Sequence, residues 1–166
     1  MEKFIPLSVP NLKGNEKKYV NEAIDAEWVS TAGRFVNRFE SEFAAYVGVP
    51  DAAACQNGTA GLHLALLGME INADHAVIVP ALTFIAAVNP LHYVGAEPIF
   101  MDCDASLCMD PMRLKEFCER ECTLTDEKLI HLASGKHIKA IVAVHVFGNM
   151  ADMESICAVA EQYHLA

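Results

Sequence analysis

Basic residues are scarce in this chain. Its 166 residues contain 12 Lys and Arg but 22 Asp and Glu, so the formal net charge is −10. Broad binding to nucleic acid needs a clustered basic surface that neutralises phosphates, and this composition argues against it. We expect a small-molecule ligand instead, because a local pocket can hold an anion even in an acidic protein.

Long apolar runs are also missing, although 53% of the residues are hydrophobic. No run approaches the roughly 18 to 20 consecutive apolar residues of a membrane span. The N-terminus has neither the apolar core nor the small-residue cleavage site of a secretory signal. We therefore expect a cytoplasmic protein with no membrane partner, whose six cysteines are free thiols.

Familiar metal and nucleotide motifs are absent as well. The seven histidines show no tight ligand spacing and no Cys-x-x-Cys pair occurs, so we predict no metal site. The chain contains neither the Gly-rich dinucleotide fingerprint nor the phosphate-binding loop with its Lys. A nucleotide-binding module of the Rossmann type would therefore lack its usual signature here.

Helical and extended patterns are present and alternate along the chain. Apolar residues at three-to-four spacing predict a helix at residues 15–28 and a second one around Phe39 and Phe43, which Gly48 ends. The next predicted elements are a strand at residues 52–55, a helix at 59–69 and a strand at 76–79.

The second half of the chain continues this alternation. Thr83 is expected to cap a helix that runs to Tyr93 and that Pro90 kinks. The remaining predicted elements are strands at residues 99–102 and 140–146, a helix begun by Asp110 and Pro111, and a last helix at residues 151–163.

Apolar strands that are each followed by a helix indicate a mostly parallel sheet with helices on both faces. The predicted fold class is therefore α/β, in one domain. Ligands of such sheets bind beyond the carboxyl ends of the strands, where helix N-termini direct free N–H groups. Three polar or aromatic segments are expected at that edge: CQNGTAG, TF and HVFGN.

The segment CQNGTAG is the best candidate for an anion site. Gly58 allows a close approach of the backbone, and the hydroxyl of Thr59 can both cap the following helix and bind an anion oxygen. With Ala60, these residues would form a phosphate cup. From this local pattern alone, a purely structural turn is at least as good an interpretation.

Several motifs in a fixed order resemble one known family. CQNGTAGLHLAL, VPALTFIAAVNPLHYVGAEPIFMDCD and IKAIVAVHVFGNMADM, together with WVSTAGRFVNRFE upstream, look like the DegT/DnrJ/EryC1/StrS family of sugar aminotransferases. That family depends on pyridoxal 5'-phosphate and has the fold type I of aspartate aminotransferase. PLSVPNLKGNE, HVFGN and the insert at residues 119–139 look closest to the branch that acts on UDP-4-keto-6-deoxy-N-acetylhexosamines in legionaminic-acid-type pathways.

The resemblance implies roles for particular residues. Gly58, Thr59 and Ala60 would hold the cofactor phosphate, and Phe84 would stack on the pyridine ring, a geometry worth about 0.5 to 1.5 kcal/mol beyond burial. The residues implied to approach the sugar substrate are Ser30, Thr31, Gly33 and Asn89.

The same resemblance implies that residues 1–166 are the N-terminal segment of a large domain that is truncated before the Schiff-base Lys and the acid of the pyridine nitrogen. No catalytic residue is expected within this segment, which alone would be inactive. The complete protein would be a homodimer that transfers an amino group, with glutamate as donor, to the 4-keto carbon of a nucleotide-linked 6-deoxyhexosamine. Two alternatives are a non-catalytic regulatory relative and a Rossmann-type nucleotide-binding module.

Overall fold

The computed structural model of the chain describes residues 4–6, 8–30 and 33–166. It divides into two compact units, Met1–Ala54 and Cys55–Ala166. Within the described residues, every helix is too short or too polar to cross a membrane.

The N-terminal unit contains two helices, which confirms the helical pattern seen there. Helix α1 spans Glu16–Asp25 and helix α2 spans Arg34–Val47. Gly48 ends α2 in the left-handed conformation, with φ of 77°, which costs a glycine little because it has no Cβ.

The strand predicted at residues 52–55 is wrong, because this segment has no regular structure. The N–H of Ala54 donates instead to Oε1 of Glu40 at 2.8 Å. A short apolar segment becomes a strand only when a neighbouring strand accepts its backbone hydrogen bonds, and here a side chain takes that role.

The C-terminal unit contains the sheet. Its elements are α3 (Gly58–Gly68), β1 (His75–Pro80), α4 (Asn89–Tyr93), β2 (Glu97–Met101), α5 (Pro111–Arg120), β3 (Cys122–Thr125), β4 (Lys128–His131), β5 (His137–Ile141) and α6 (Met153–Gln162), with 3₁₀ turns at Ile85–Ala87 and Val146–Gly148. The N-cap of α5 is Asp110, as predicted, and its side chain accepts from the N–H of Met112 at 2.8 Å.

The five strands form one mixed sheet in the order β2-β1-β5-β4-β3. β1 pairs in parallel with β2 and β5, whereas β4 pairs antiparallel with both β3 and β5. The parallel strands β1 and β2 overlap the strands predicted at residues 76–79 and 99–102, whereas β5 lies earlier than the strand predicted at 140–146, and the antiparallel hairpin is built from the insert. The α/β fold class is confirmed.

Two apolar layers cover the sheet, one on each face. On one face, Ile78 of β1 belongs to a cluster with Leu114 of α5 and Ile156 of α6. On the other, Val77 belongs to a cluster with Leu66 of α3. Successive side chains of a strand point to opposite faces, so β1, which is apolar from Ala76 to Pro80, contributes to both layers.

Two predictions for the region after β1 are wrong. The helix expected from Thr83 to Tyr93 is divided into the 3₁₀ turn Ile85–Ala87 and the short helix α4, and neither has a side-chain cap. Pro90 lies in the first turn of α4 and so begins a helix rather than kinking one. A proline is tolerated there because the first N–H groups of a helix have no intrahelical partner.

The strand predicted at residues 140–146 lies earlier, at β5, and the chain beyond Ile141 is a loop. On its side away from β1, β5 has two partners in succession. β4 pairs only with its first two residues. Beyond them, Ala166 donates its N–H to the carbonyl of Lys139 at 3.0 Å, and its carbonyl accepts from the N–H of Ile141 at 2.8 Å.

Candidate functional site: the N-terminus of helix α3

The helix start in CQNGTAG has a defined cap. Asn57 is the N-cap, with extended backbone, and its Oδ1 accepts from the N–H of Ala60 at 2.9 Å. The expectation that Thr59 caps the helix is therefore wrong, because Asn57 holds that position and α3 already begins at Gly58. Asn is among the best N-cap residues, since its short side chain reaches the free N–H groups of the first turn.

Cys55 packs against the other side of this turn. Its Sγ donates to the carbonyl of Asn57 at 3.4 Å. A Cβ added to Gly61 would lie 3.1 Å from the same sulfur, so the sulfur occupies the space that a side chain at position 61 would need. The turn before α3 is thus fixed from both ends by its own residues.

Two backbone donors remain at this corner. Among the described residues, the N–H groups of Gly58 and Thr59 have no protein acceptor, whereas the N–H of Ala60 is bound to Asn57. A Cβ added to Gly58 would meet nothing within 4 Å. Free N–H groups at the positive end of a helix, beside open space, fit a phosphate group. The predicted cup is therefore chemically suitable, with two free donors rather than three.

Helix α3 places this corner at the carboxyl edge of the parallel strands. Residues 69–74 connect the end of α3 to the start of β1, so the helix runs back along the sheet and its N-terminus lies towards the end of β1. α3 also contacts the 3₁₀ turn Ile85–Ala87. Phe84 immediately precedes that turn, and its side chain is 78% exposed, so its ring is free for stacking.

The remaining predicted substrate residues are distributed over both units. Asn89 is the first residue of α4 and is half-buried. In the N-terminal unit, the carbonyl of Ser30 accepts from the N–H of Gly33 at 3.2 Å. Gly33 is buried, and a Cβ there would lie 2.9 Å from Cδ1 of Trp28, so its small size has a packing reason. Thr31 lies outside the described residues.

Two lysines of the C-terminal unit lie at the opposite edge of the sheet. Nζ of Lys136 is 3.4 Å from Oε2 of Glu97, the first residue of β2. Nζ of Lys139 donates to the carbonyl of Glu70, in the loop before β1, at 3.4 Å. Both amines are therefore held at the amino ends of the strands, away from the corner at Gly58.

The buried thiols of this unit are poor nucleophiles. Burial, with smaller effects of nearby acidic groups, raises the pKa of Cys118 to about 12 and that of Cys122 to about 11. The thiolate is the reactive form of cysteine, so these residues stay protonated at neutral pH. All six cysteines are free thiols in the structure, as predicted. No cluster of three or more metal-ligating side chains occurs in the described part of the chain.

An apolar cleft of ≈ 390 Å³ lies in the N-terminal unit, between α1 and α2. Tyr19, Phe35 and Phe39 line it, and Arg38 bridges its rim by donating to Glu42 at 2.6 Å. Its surface is mainly apolar.

Solved structures share this fold. An aminotransferase from Psychrobacter cryohalolentis has a TM-score of 0.77 at 32% identity, over 96% of this chain and 37% of its own. A Bacillus subtilis protein solved with bound pyridoxamine phosphate has a TM-score of 0.73 at 26% identity, over 90% of this chain and 31% of its own. The fold and the open helix corner define the N-terminal part of a fold type I enzyme of the pyridoxal-phosphate class.

The family follows from the sequence itself. Residues 10–166 match the model of the DegT/DnrJ/EryC1/StrS aminotransferase family, whose cofactor is pyridoxal phosphate, and the chain belongs to that family. GDP-perosamine synthases from Caulobacter vibrioides and Escherichia coli O157:H7 are 42% and 39% identical over 97% and 98% of the chain. The chain spans 39% and 41% of the length of these two relatives.

Proposed function

We propose that this chain is part of an aminotransferase that uses pyridoxal phosphate to aminate a nucleotide-linked keto sugar. The observation that carries the proposal is the family match over residues 10–166. The corner at Gly58 and Thr59 lies within this matched part, is open and has free N–H donors. The amino group comes from glutamate and goes to the 4-keto carbon of a 6-deoxyhexosamine. Two relatives named GDP-perosamine synthase support a nucleotide-linked amino sugar as the product.

At the corner, the chain's residues bind and orient the cofactor. The N–H groups of Gly58 and Thr59 donate to its phosphate, and the hydroxyl of Thr59 adds a third donor. Asn57 keeps the first turn of α3 in place by accepting from the N–H of Ala60. When bound, the cofactor supplies the carbon that carries the amino group and the electron sink for the proton shift.

Other residues orient the rings. The exposed face of Phe84 stacks on the pyridine ring, which fixes the plane in which the reacting bonds must lie. The family resemblance further implies sugar contacts for Ser30, Thr31 and Gly33 of the N-terminal unit and for Asn89 of the C-terminal unit. The complete enzyme is a cytoplasmic homodimer. The dimer is supported by exposed apolar side chains on the N-terminal helices, where Phe39 and Val20 are each 57% exposed.

Residues 1–166 by themselves do not transaminate. The reaction needs a Lys beside the phosphate site, and Lys136 and Lys139 lie at the far edge of the sheet. Borohydride reduction of the 166-residue chain with pyridoxal phosphate, followed by peptide mass analysis, should give scattered or no pyridoxyl-lysine. Stoichiometric labelling of one Lys would overturn this part of the proposal.

The function is tested on the protein produced from its complete coding region. The purified protein is supplied with pyridoxal phosphate and glutamate, then with GDP-linked or UDP-linked 4-keto-6-deoxyhexoses, with and without an N-acetylamino group. Mass spectrometry should show one sugar in which the keto oxygen is replaced by an amino group, with one 2-oxoglutarate formed per product. Alanine in place of glutamate is the control for the donor. A protein that binds the cofactor but aminates none of these sugars would contradict the proposal.

A further inference from the structure

One loop at the carboxyl edge of the sheet combines an exposed aromatic ring with a strained backbone. Phe147 follows β5, has φ of 53° and ψ of 23°, and is 86% exposed. The left-handed conformation is unfavourable for a residue with a Cβ, by about 1 to 2 kcal/mol. Because its ring is exposed, Phe147 gains almost no burial in return. Burial of the ring therefore does not offset the backbone strain.

The surrounding loop is nevertheless held in place by hydrogen bonds. Nδ2 of Asn149 donates to the carbonyl of Ser106 at 2.9 Å, and Sγ of Cys108 donates to the carbonyl of Asn149 at 3.4 Å. The N–H of Ala151 donates to Nδ1 of His145 at 3.1 Å. Strained residues persist where neighbouring contacts determine the backbone in this way, and they concentrate at ligand sites.

The loop that carries Phe147 lies next to the loop that carries Phe84. β1 and β5 are adjacent parallel strands, so the loops that follow them lie beside each other at the carboxyl edge. The first of these loops carries Phe84 and the second carries Phe147, and both rings are exposed. A rigid, exposed aromatic ring suits a flat unsaturated ring as its ligand, and the nucleobase of a nucleotide-linked sugar is such a ring.

We propose that Phe147 is a substrate-binding residue that stacks on the nucleobase of the sugar-nucleotide substrate, held in position by Asn149. This inference rests on the proposed function for the identity of the substrate. It assigns Phe147 to the nucleotide and leaves the cofactor to Gly58, Thr59 and Phe84. Stacking is tolerant of the base, so the contact should serve GDP-linked and UDP-linked substrates alike, with a larger effect for the larger purine.

The test uses Phe147→Asn in the complete gene product. Asn tolerates the left-handed conformation and removes the ring. GDP and UDP are titrated by calorimetry into the protein loaded with cofactor. We expect the dissociation constant for GDP to rise about tenfold, while the cofactor dissociation constant and the reaction with glutamate alone do not change. The melting temperature should stay the same or rise, because strain is relieved. Phe100→Ala, which removes an exposed ring from β2, is the control and should leave GDP binding unchanged.

The outcomes separate this inference from the proposed function. Unchanged GDP binding in Phe147→Asn, in a protein that binds cofactor and reacts with glutamate, would overturn the inference alone. A wild-type protein that binds neither GDP nor UDP would also overturn it, as would a lower melting temperature or a changed oligomeric state in Phe147→Asn. Loss of GDP binding in a protein without aminotransferase activity would support the nucleotide contact and contradict the proposed function.

Discussion

Replacing Gly58 with alanine separates the binding role of the corner from its structural role. The Cα–Cβ bond of a helical residue tilts towards the helix N-terminus, so the new methyl group would project into the space in front of α3. Among the described residues, nothing lies within 4 Å of that Cβ apart from its chain neighbours and the nearby backbone of α3 itself. The folded protein should therefore accept the change, whereas a phosphate bound to the N–H groups of Gly58 and Thr59 should not.

The two effects have different expected magnitudes. Alanine is a better helix former than glycine, so the free energy of unfolding should stay within about 1 kcal/mol of the original or rise. Loss of one hydrogen bond to a charged phosphate costs about 1.5 to 3 kcal/mol, which corresponds to a roughly 10- to 100-fold higher dissociation constant for the cofactor.

Gly68→Ala is the matched control, since Gly68 ends the same helix and a Cβ there also meets nothing within 4 Å. The complete gene products are compared by urea unfolding and by titration with pyridoxal phosphate. Gly68→Ala should bind the cofactor normally. Equal cofactor affinity in Gly58→Ala and Gly68→Ala would refute the assignment of the phosphate to this helix end.

Three further outcomes are expected. Leu66→Ala should lower the free energy of unfolding, measured in urea, by about 2 to 5 kcal/mol, because Leu66 is fully buried. Leu64→Ala, on the exposed side of α3, should change it by no more than about 0.5 kcal/mol, and equal losses in the two variants would contradict the packing described. Burial lowers the pKa of His75 and of His137 below the ordinary 6.5; the next cause is Lys139 for His75 and the neighbouring His75 for His137. The unfolded chain therefore binds more protons, and the free energy of unfolding should decrease as the pH drops below about 6.5. A urea midpoint that is no lower at pH 5.5 than at pH 7.5 would argue against this, and the double variant His75→Gln, His137→Gln should show a weaker pH dependence. Iodoacetamide at pH 8 should modify the exposed Cys55 and Cys157 before Cys118 and Cys122, which mass analysis of peptides would detect. Equal modification rates for all four thiols in the folded protein would mean that the buried thiols are accessible.

The parallel part of the fold could be predicted because its signals are local. β1 is apolar from Ala76 to Pro80, α5 begins at an Asp-Pro pair, and both lie where the sequence places them. The hairpin β3–β4 gave no such signal. Its turn uses Asp126 and Glu127 at φ of 50° and 60°, where Asn-Gly would mark a hairpin. Pairing between strands holds those residues in a conformation that their own preferences do not indicate.

The candidate site was predicted only in part, for a similar reason. The polar turn before an apolar helix predicts an anion site at Gly58 and Thr59, whose N–H groups have no protein acceptor among the described residues. The cap, however, depends on the residue at which the helix begins. The N-cap is Asn57, two residues before the expected Thr59, and its side chain accepts the hydrogen bond of the Ala60 N–H. The strained backbone of Phe147 could not be predicted at all, because it depends on hydrogen bonds to a loop about forty residues away in the chain, such as that from Asn149 to Ser106.

The hydrogen bonds of Ala166 affect how the chain can be handled in the laboratory. This residue lies against β5, with its N–H and its carbonyl both bound to that strand. An affinity tag or fluorescent protein fused directly after Ala166 in the 166-residue chain would start beside the sheet. Its first residues could then disturb the hydrogen bonds between Ala166 and β5. A tag at the other end, before the helices of the N-terminal unit, leaves that strand pairing intact and is the better choice for the labelling experiment on the 166-residue chain.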